Sequence, residues 1–451
     1  MWYDIVKDRL ENKNDKNIIA AQKLELTVGE VHTTKTNFEK NHHTSQAKIE
    51  RWGYDGKLHR EDGPAQIVYD DNGKLAEELW YKNGELHRED GPAIVTYRFN
   101  SGKDNVTAEY YYKNGQIHRE NAPAIVLNDE AFGFDRVLEN RYYQNGLLHR
   151  EDGPAVECFN LKPEQNYGLY RSEEYYQNGQ AHREDGPAKA VYYSLTEARE
   201  DYINEQQWYQ NGELHRKDGP AYIECSNNGD KIKEVWGQNG NLHREDGPAE
   251  LTYYEDGNLE SEAWYQKGAL HRENGPAHIN YQRDGQLERE MYYQDTKLHR
   301  EDGPADIEYI YNGNIGVEKY YQNGTLHREN GPAEITYYDD GTVEVETWRQ
   351  HSLLHRENGP ADITYYDDGD TMKEKWYKDG QAHRENGPAE IEYHGEGVAL
   401  REAYWQEGEL HREYGPAIIE YDPSGYVESE EWYENDEKID PPSHSSSSFS
   451  F

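Results

Sequence analysis

The chain has 451 residues, of which 34% are hydrophobic and 30% are charged, and its formal net charge is −41. Such a charge disfavours nucleic acids and anionic membrane surfaces, because both bind through lysine and arginine. The 40 tyrosines and 10 tryptophans argue against a disordered chain, since disordered segments contain few aromatic residues. They suit a thin sheet whose two faces are both partly exposed to water, because each of these side chains has a large ring and a polar group.

Residues 1–46 lack the repeat that fills the rest of the chain and are predicted to form an N-terminal cap segment. Residues 24–28 read as a capping strand, because the ends of a repeat array need a polar cap. The first residues contain no apolar segment of the signal-peptide kind, and no stretch approaches 18 apolar residues. We therefore expect a cytoplasmic protein without membrane insertion.

Residues 47–440 contain thirteen near-identical copies of the phrase His-Arg-Glu-Asp/Asn-Gly-Pro-Ala. The motif histidines are His59, His87, His118, His149, His182, His215, His243, His271, His299, His327, His355, His383 and His411. Their successive gaps are 28, 31, 31, 33 and 33 residues and then seven times 28. A fixed period of this size indicates one supersecondary unit stacked on itself. The sequence therefore predicts an all-β fold, an elongated antiparallel β-hairpin repeat ribbon or open solenoid.

Each repeat is predicted to begin with a hairpin whose loop is of the Asp-Gly type. In the copy at residues 333–361 the two strands flank Asp339, Asp340 and Gly341, and a three-residue loop with left-handed glycine sets their register. The expected pairs are Tyr337 with Val343, Ile335 with Val345 and Ala333 with Thr347. One face is then apolar, and the other carries Glu334, Thr336, Glu344 and Glu346.

A second turn in each repeat is usually Asn-Gly, as at Asn83-Gly84, which strongly favours a type I′ hairpin. Counting outward from Gly268 pairs Tyr265 with Leu270 and Trp264 with His271. An aromatic residue stands seven residues before the motif histidine in all thirteen copies. We therefore expect His271 to pack on Trp264.

The motif residues are predicted to be structural, because a catalytic or metal site is normally built once. Imidazoles one repeat apart would lie about 10 Å from each other, too far to share a metal ion. Arginine and glutamate are interpreted as an ion-pair ladder. We predict no catalytic residue, metal or cofactor and no enzyme activity. The structural motif residues are His87, Arg88, Glu89, Gly91 and Pro92 in one copy and Trp264, His271, Arg272, Glu273, Gly275 and Pro276 in another.

The copies between His87 and His215 are lengthened at the tip of the first hairpin, for example at residues 98–105 and 194–205. Insertions on one edge of an array are typical of binding loops, although neutral drift at exposed tips explains them equally well. Residues 441–451 are rich in serine and are predicted to form a disordered tail.

The cadence of aromatic, turn and glycine from Trp376 to His383 resembles MORN repeats and the MORN-variant repeats of bacterial antitoxin-like proteins. The fuller phrase from Trp80 to Ala93 is similar to an uncharacterised repeat of giant viruses and large phages. The resemblance covers about 390 residues and departs from MORN in period and in its Gly-Pro-Ala step. It implies a non-enzymatic β-hairpin ribbon and adds a virion-associated location to the cytoplasmic one.

Two functions follow as expectations. The first is a scaffold whose aromatic face and edge loops bind protein partners, with basic proteins suited to the acidic charge and a homo-oligomer allowed. The alternative is a structural component of a fibre, coat or virus particle that self-assembles through open strand edges.

Overall fold

The structure, a computed structural model, describes residues 34–40, 43–98, 103, 105–131, 135–161, 169–194, 202–226, 228–395 and 397–441. Each secondary-structure element defined within these ranges is a β-strand, and the long strands pair antiparallel. The predicted all-β fold of repeated hairpins is confirmed. The predicted capping strand at residues 24–28 and the tail from residue 442 lie outside the described residues.

The chain divides into two compact units, Met1–Leu214 with Asn227–Gly229, and His215–Ser226 with Asp230–Phe451. The long strands of the first unit are Thr34–Lys40, His43–Arg51, Gln66–Tyr69, Leu75–Leu79, Ile94–Tyr97, Val106–Tyr110, Ile125–Ala131, Asp135–Arg141, Val156–Leu161, Leu169–Glu174, Lys189–Ser194 and Tyr202–Gln207. Its short strands are Gly53–Tyr54, Lys57–Leu58, Tyr81–Lys82, Glu85–Leu86, Tyr112–Lys113, Gln116–Ile117, Tyr143–Gln144, Leu147–Leu148, Tyr176–Gln177, Gln180–Ala181, Tyr209–Gln210 and Glu213–Leu214.

The second unit follows the same plan. Its long strands are Tyr222–Cys225, Lys231–Val235, Glu250–Tyr253, Leu259–Ala263, His278–Tyr281, Leu287–Met291, Asp306–Tyr309, Ile315–Lys319, Glu334–Tyr337, Val343–Thr347, Asp362–Tyr365, Thr371–Lys375, Glu390–His394, Val398–Ala403, Ile418–Tyr421 and Val427–Glu434. Its short strands are Gly237–Gln238, Asn241–Leu242, Tyr265–Gln266, Ala269–Leu270, Tyr293–Gln294, Lys297–Leu298, Tyr321–Gln322, Thr325–Leu326, Arg349–Gln350, Leu353–Leu354, Tyr377–Lys378, Gln381–Ala382, Trp405–Gln406, Glu409–Leu410 and Glu437–Ile439.

The loop of the first hairpin has the predicted three residues. The amide of Tyr338 donates to the carbonyl of Thr342 at 2.9 Å, and Gly341 between them has φ +91°. This is the left-handed conformation that favours glycine. Tyr337 pairs with Val343, as the sequence predicted.

The register changes immediately below this loop. A bulge adds one residue to the second strand, so that Ile335 lies opposite Glu346. The predicted pairs of Ile335 with Val345 and of Ala333 with Thr347 are therefore wrong. The same shift occurs in most first hairpins of both units, which makes it part of the repeat.

Because of the bulge, one row across the sheet alternates aliphatic residues with glutamates. In the second unit the row runs Ile223, Glu234, Leu251, Glu262, Ile279, Glu290, Ile307, Glu318, Ile335, Glu346, Ile363, Glu374, Ile391, Glu402, Ile419 and Glu430. The predicted wholly apolar face is therefore wrong. We call this set the Glu–aliphatic row.

The short strands form return hairpins beside the sheet. Asn83 and Gly84 have φ +55° and +89°, as a type I′ turn requires. Tyr265 pairs with Leu270, and the amide of His271 donates to the carbonyl of Trp264 at 2.9 Å. The predicted turn type and backbone pairing are confirmed.

The motif alanines lie at the most buried points of the repeat. All thirteen are 0–1% exposed: Ala65, Ala93, Ala124, Ala155, Ala188, Ala221, Ala249, Ala277, Ala305, Ala333, Ala361, Ala389 and Ala417. Each sits where the first strand of a repeat meets the return hairpin that precedes it; for example, Trp348 donates its amide to the carbonyl of Ala361 at 2.6 Å. The core is therefore thin and has an alanine at its centre in every repeat.

Candidate functional site

The motif arginine covers the aromatic ring that lies eight residues before it. In the second unit the guanidinium carbon of Arg272 lies 3.9 Å from the ring centroid of Trp264. Its Nη1 also donates to the carbonyl of Pro276 at 3.0 Å. The guanidinium therefore covers one face of the Trp264 ring, a contact that the sequence did not indicate, and the packing of His271 on Trp264 stays a prediction.

This arrangement recurs along both units. The ring distance is 3.7–4.3 Å for Arg60, Arg88, Arg119, Arg150, Arg183, Arg244, Arg272, Arg300, Arg328, Arg356, Arg384 and Arg412. All thirteen motif arginines donate to the carbonyl of the motif proline four residues later. The arginine therefore fixes the turn that leads into the next strand.

The motif histidine joins one repeat to the next. The Nδ1 of His271 accepts a hydrogen bond from the amide of Asp295, the first turn residue of the following return hairpin, at 3.3 Å. The same bond reaches His87 from Asn114 at 3.1 Å, and twelve of the motif histidines share it. An Nδ1 that accepts carries no proton, so the imidazole is held in one tautomer.

The motif glutamate and the acid after it point into solvent. Glu61, Glu89 and Glu357 are 88%, 74% and 80% exposed, and Asp62 is 85% exposed. The contact of Glu89 with the Nε2 of His87 is long, at 3.6 Å. The predicted arginine–glutamate ladder is therefore wrong: the arginine binds the ring and the proline carbonyl, which leaves the glutamate on the surface.

Together these exposed acids form what we call the acidic stripe, with one or two carboxylates per repeat. In the first unit it comprises Glu61, Asp62, Glu89, Asp90, Glu120, Glu151, Asp152, Glu184 and Asp185. In the second unit it comprises Asp218, Glu245, Asp246, Glu273, Glu301, Asp302, Glu329, Glu357, Glu385 and Glu413. Two sheet strands separate successive members, which gives a spacing of about 10 Å within a unit. Lys217 replaces the glutamate in one copy and is also exposed.

The face of the sheet opposite the Glu–aliphatic row carries ion pairs. Asp306, whose side chain is 3% exposed, accepts two bonds of 2.7 Å from the guanidinium of Arg289. Lys373 lies 2.7 Å from Glu390. The carboxylates of Asp306 and Glu390 are therefore neutralised by basic side chains on the same face.

Tyrosines bond the glutamates of the Glu–aliphatic row. The hydroxyl of Tyr337 donates to Glu318 at 3.0 Å, and that of Tyr365 donates to Glu346 at 3.4 Å. Burial, and then the charge of Glu346, raise the pKa of Tyr365 to about 12. The pKa of Tyr337 is raised by burial and by Glu318 in the same way.

Stability should therefore fall in alkali. A tyrosine whose pKa is raised in the folded chain keeps its proton after the unfolded chain has lost it, so stability holds below pH 10 and is lost as pH rises toward about 12. A chemical-denaturation series across this range should show the loss, and Tyr365→Phe should make it shallower while lowering stability at neutral pH. Tyr311, 80% exposed, provides the matched Tyr→Phe control. A flat alkaline profile would contradict the prediction.

In the first unit the corresponding row begins with Ile67, Glu78, Val95, Glu109 and Val126, and the alternation is lost in the longer strands that follow. The row positions there are Asn140, Glu157, Glu173, Ala190 and Gln206. On the other face Glu139, 4% exposed, bonds Arg141. Next to Glu139, burial raises the pKa of the Cys158 thiol to about 12, which makes it unreactive.

The predicted binding loops lie largely outside the described residues. Residues 99–102, 104, 132–134, 162–168 and 195–201 lie outside the described residues. The motif aromatics, by contrast, are half-buried beneath arginine, so the aromatic face that the sequence suggested is largely covered. The most exposed tyrosines, Tyr54, Tyr311, Tyr414 and Tyr426, stand apart from that row at 74–82% exposure.

Within the described ranges, no three His, Cys, Asp or Glu side chains converge as a metal site would require. The same ranges hold no helix long and apolar enough to cross a membrane. No protein-family model matches the sequence, and no curated protein matches it. The geometry of the repeat is therefore the ground for any functional assignment.

Proposed function

We propose that the protein is a non-enzymatic repeat scaffold that binds basic protein partners along the acidic stripe. The observation that carries the proposal is the stripe itself, a regular series of solvent-exposed carboxylates in each unit. Motif arginines pair with Asp62, Asp152 and Asp185 but leave the neighbouring glutamates on the surface. A partner with lysines or arginines at a similar spacing would meet several carboxylates at once. Weak single contacts then add up to useful affinity.

Charge and geometry both support a protein partner. A peptide in the polyproline II conformation advances about 3.1 Å per residue with three residues per turn, so basic residues at every third position lie on one face and repeat about every 9 Å. That spacing matches the stripe within a unit. The net charge of −41 also raises the association rate of a basic partner by long-range attraction.

The motif histidine and arginine, which would be the candidates for catalysis, make structural contacts. The motif imidazole accepts a backbone amide, and the arginine stacks on an aromatic ring and binds a proline carbonyl. Neither is presented to a substrate. This supports a scaffold in preference to an enzyme, and the edge loops remain a second proposed contact region.

Neutralising the stripe should weaken binding of a lysine-rich peptide with lysine at every third position. The test variant carries Glu61→Gln, Asp62→Asn, Glu89→Gln, Asp90→Asn and Glu120→Gln, and titration calorimetry is expected to show fewer peptides bound per chain, because the second unit keeps its own stripe. Binding by the unmodified chain should also fall as salt rises, because exposed charges are screened.

The matched control removes the same number of charges from exposed positions outside the stripe. It carries Asp71→Asn, Glu255→Gln, Glu288→Gln, Asp339→Asn and Asp367→Asn, which are all exposed. Equal loss in both variants would show that only net charge matters and would contradict a stripe-specific site. Light scattering on the unmodified chain should show a monomer or dimer; large regular assemblies would favour the structural alternative.

A further inference from the structure

Among the residues that the structure describes, the last long strand of the second unit has an open edge. Inside the unit the second strand of each repeat pairs with the next repeat over three residues, as Val343–Thr347 does with Asp362–Tyr365. In Val427–Glu434 the equivalent residues are Ser429, Glu430 and Glu431, and within the described ranges they pair only with the strand before them. The return hairpin takes over from Trp432 onward.

The backbone of Glu430 faces this open edge. In an interior repeat Trp348 donates its amide to Ala361 of the next repeat, and residues two apart on a strand point the same way. Trp432 and Glu430 occupy the corresponding positions of the last strand. Two donors and a carbonyl therefore line the edge without a strand to bind among the described residues.

Within the described part of the chain, the Glu–aliphatic row also ends at Glu430. Interior members such as Glu402 lie between two aliphatic residues, Ile391 and Ile419, and accept a bond of 3.2 Å from the hydroxyl of Tyr421 on the next strand. Glu430, by contrast, is exposed. The row therefore specifies what the missing neighbour would supply: an aliphatic residue beside the carboxylate and a tyrosine two residues later.

Apolar side chains are exposed at the same end of the unit. Tyr426 is 74%, Val427 is 53% and Ile439 is 40% exposed. Asp440 stands where the other repeats place the arginine that covers the aromatic ring, here Trp432. An added strand would shield this surface in the way that each repeat shields the one before it.

We propose that this edge, Ser429–Trp432, is a docking site for an extended segment of a partner protein that carries an aliphatic-x-tyrosine pattern and no acidic residue. The segment adds one antiparallel strand to the sheet, with its tyrosine hydroxyl donating to Glu430. A symmetric pairing of two such edges is disfavoured, because Glu428, Glu430 and Glu431 would meet the same carboxylates of a second copy.

A peptide with the sequence of residues 274–282 of this chain is a suitable probe, because it contains Ile279 and Tyr281 and no acidic residue. Fluorescence anisotropy with the full chain is expected to show saturable one-to-one binding. The peptide with Ile279→Glu should not bind, because it places a second carboxylate beside Glu430. The peptide with Tyr281→Phe should bind about tenfold more weakly, through loss of a hydrogen bond to a charged group.

Two variants of the protein test whether the peptide binds at the edge formed by Ser429–Trp432. Glu430→Pro removes an amide that faces the open edge, so it should abolish binding while circular dichroism and thermal unfolding stay unchanged. Glu430→Gln should weaken binding of the tyrosine peptide but leave the phenylalanine peptide unaffected. Equal binding of the glutamate peptide, or full binding by Glu430→Pro, would overturn the proposal. So would dimerisation of the unmodified chain that Glu430→Pro abolishes, since the edge would then belong to a second copy.

Discussion

Replacing Arg384 by alanine is expected to lower the free energy of unfolding by about 2–3 kcal/mol. Its guanidinium carbon lies 3.8 Å from the centroid of Trp376, and its Nη1 donates to the carbonyl of Pro388 at 3.0 Å. The alanine variant loses both contacts and leaves a half-buried carbonyl without its donor. Urea denaturation followed by tryptophan fluorescence measures the change.

Two control variants separate stacking from charge. Arg384→Lys keeps the positive charge but lacks the planar group that covers a ring and binds a carbonyl, so it should recover less than half of the loss. Glu385→Ala changes the next residue, which is exposed, and should cost about 0.5 kcal/mol or less. A lysine variant as stable as the unmodified chain would show that charge alone is needed.

The turns and the order of the hairpins could be predicted because asparagine and glycine favour the positive φ values that these turns need. Asn323 and Gly324 adopt the two positive φ values that their types favour, +52° and +82°. Gly341 closes the other loop in the same way. The turn residues alone determine these conformations, so the prediction does not require knowledge of which strands pair.

The bulge could not be predicted in the same way. Its position in the copy at Val343–Thr347 is taken by Glu344, and in the copy at Ile315–Lys319 by Gly316. The residue type at the bulge therefore differs between copies and gives no consistent signal. The register below the loop is decided instead by packing across several strands, which brings Glu346 between Ile335 and Ile363. The alternation of aliphatic residues and glutamates becomes visible only when neighbouring repeats are aligned in space.

The roles within the motif were predicted only in part. Spacing correctly paired the backbones of Trp264 and His271, but it does not say which side chain turns over the ring. Arginine takes that place because its long, planar group reaches back from the next residue. The arginine that binds ring and carbonyl leaves Glu273 exposed, although Arg60, Arg150 and Arg183 also pair with the exposed aspartate two residues later. The motif also accepts one change at its glycine position. In the third repeat Ala122 replaces this glycine, and Asn121 before it has φ +58°.

The proposed binding surface was missed for a related reason. The sequence directed attention to aromatic residues, which usually anchor interfaces. In the structure those rings are half-buried under arginine, whereas the glutamates assigned to an ion-pair ladder with arginine are exposed. The available signal was Lys217, since a position that accepts charge reversal is not buried in an ion pair.

The largest single effect is expected from Ala361→Leu. This alanine is 0% exposed and accepts the amide of Trp348 at 2.6 Å, so three added carbons have no space at the junction of two repeats. Overpacking of this kind should cost about 3 kcal/mol or more. Differential scanning calorimetry is expected to show a lower or a split transition, because each repeat is stabilised mainly by its neighbours.

A matched control uses an alanine at a permissive position. Ala269 lies in a return hairpin where other repeats carry Glu85, Asn241 or Leu353, so Ala269→Leu should leave the transition within about 0.5 kcal/mol of the unmodified chain. Hydrogen exchange should localise the damage, with faster exchange around Ala361 in the Ala361→Leu variant and no change around Ala269 in the control. If both leucine variants were equally stable, the junction would have room for larger side chains. The invariant alanine would then need an explanation other than packing.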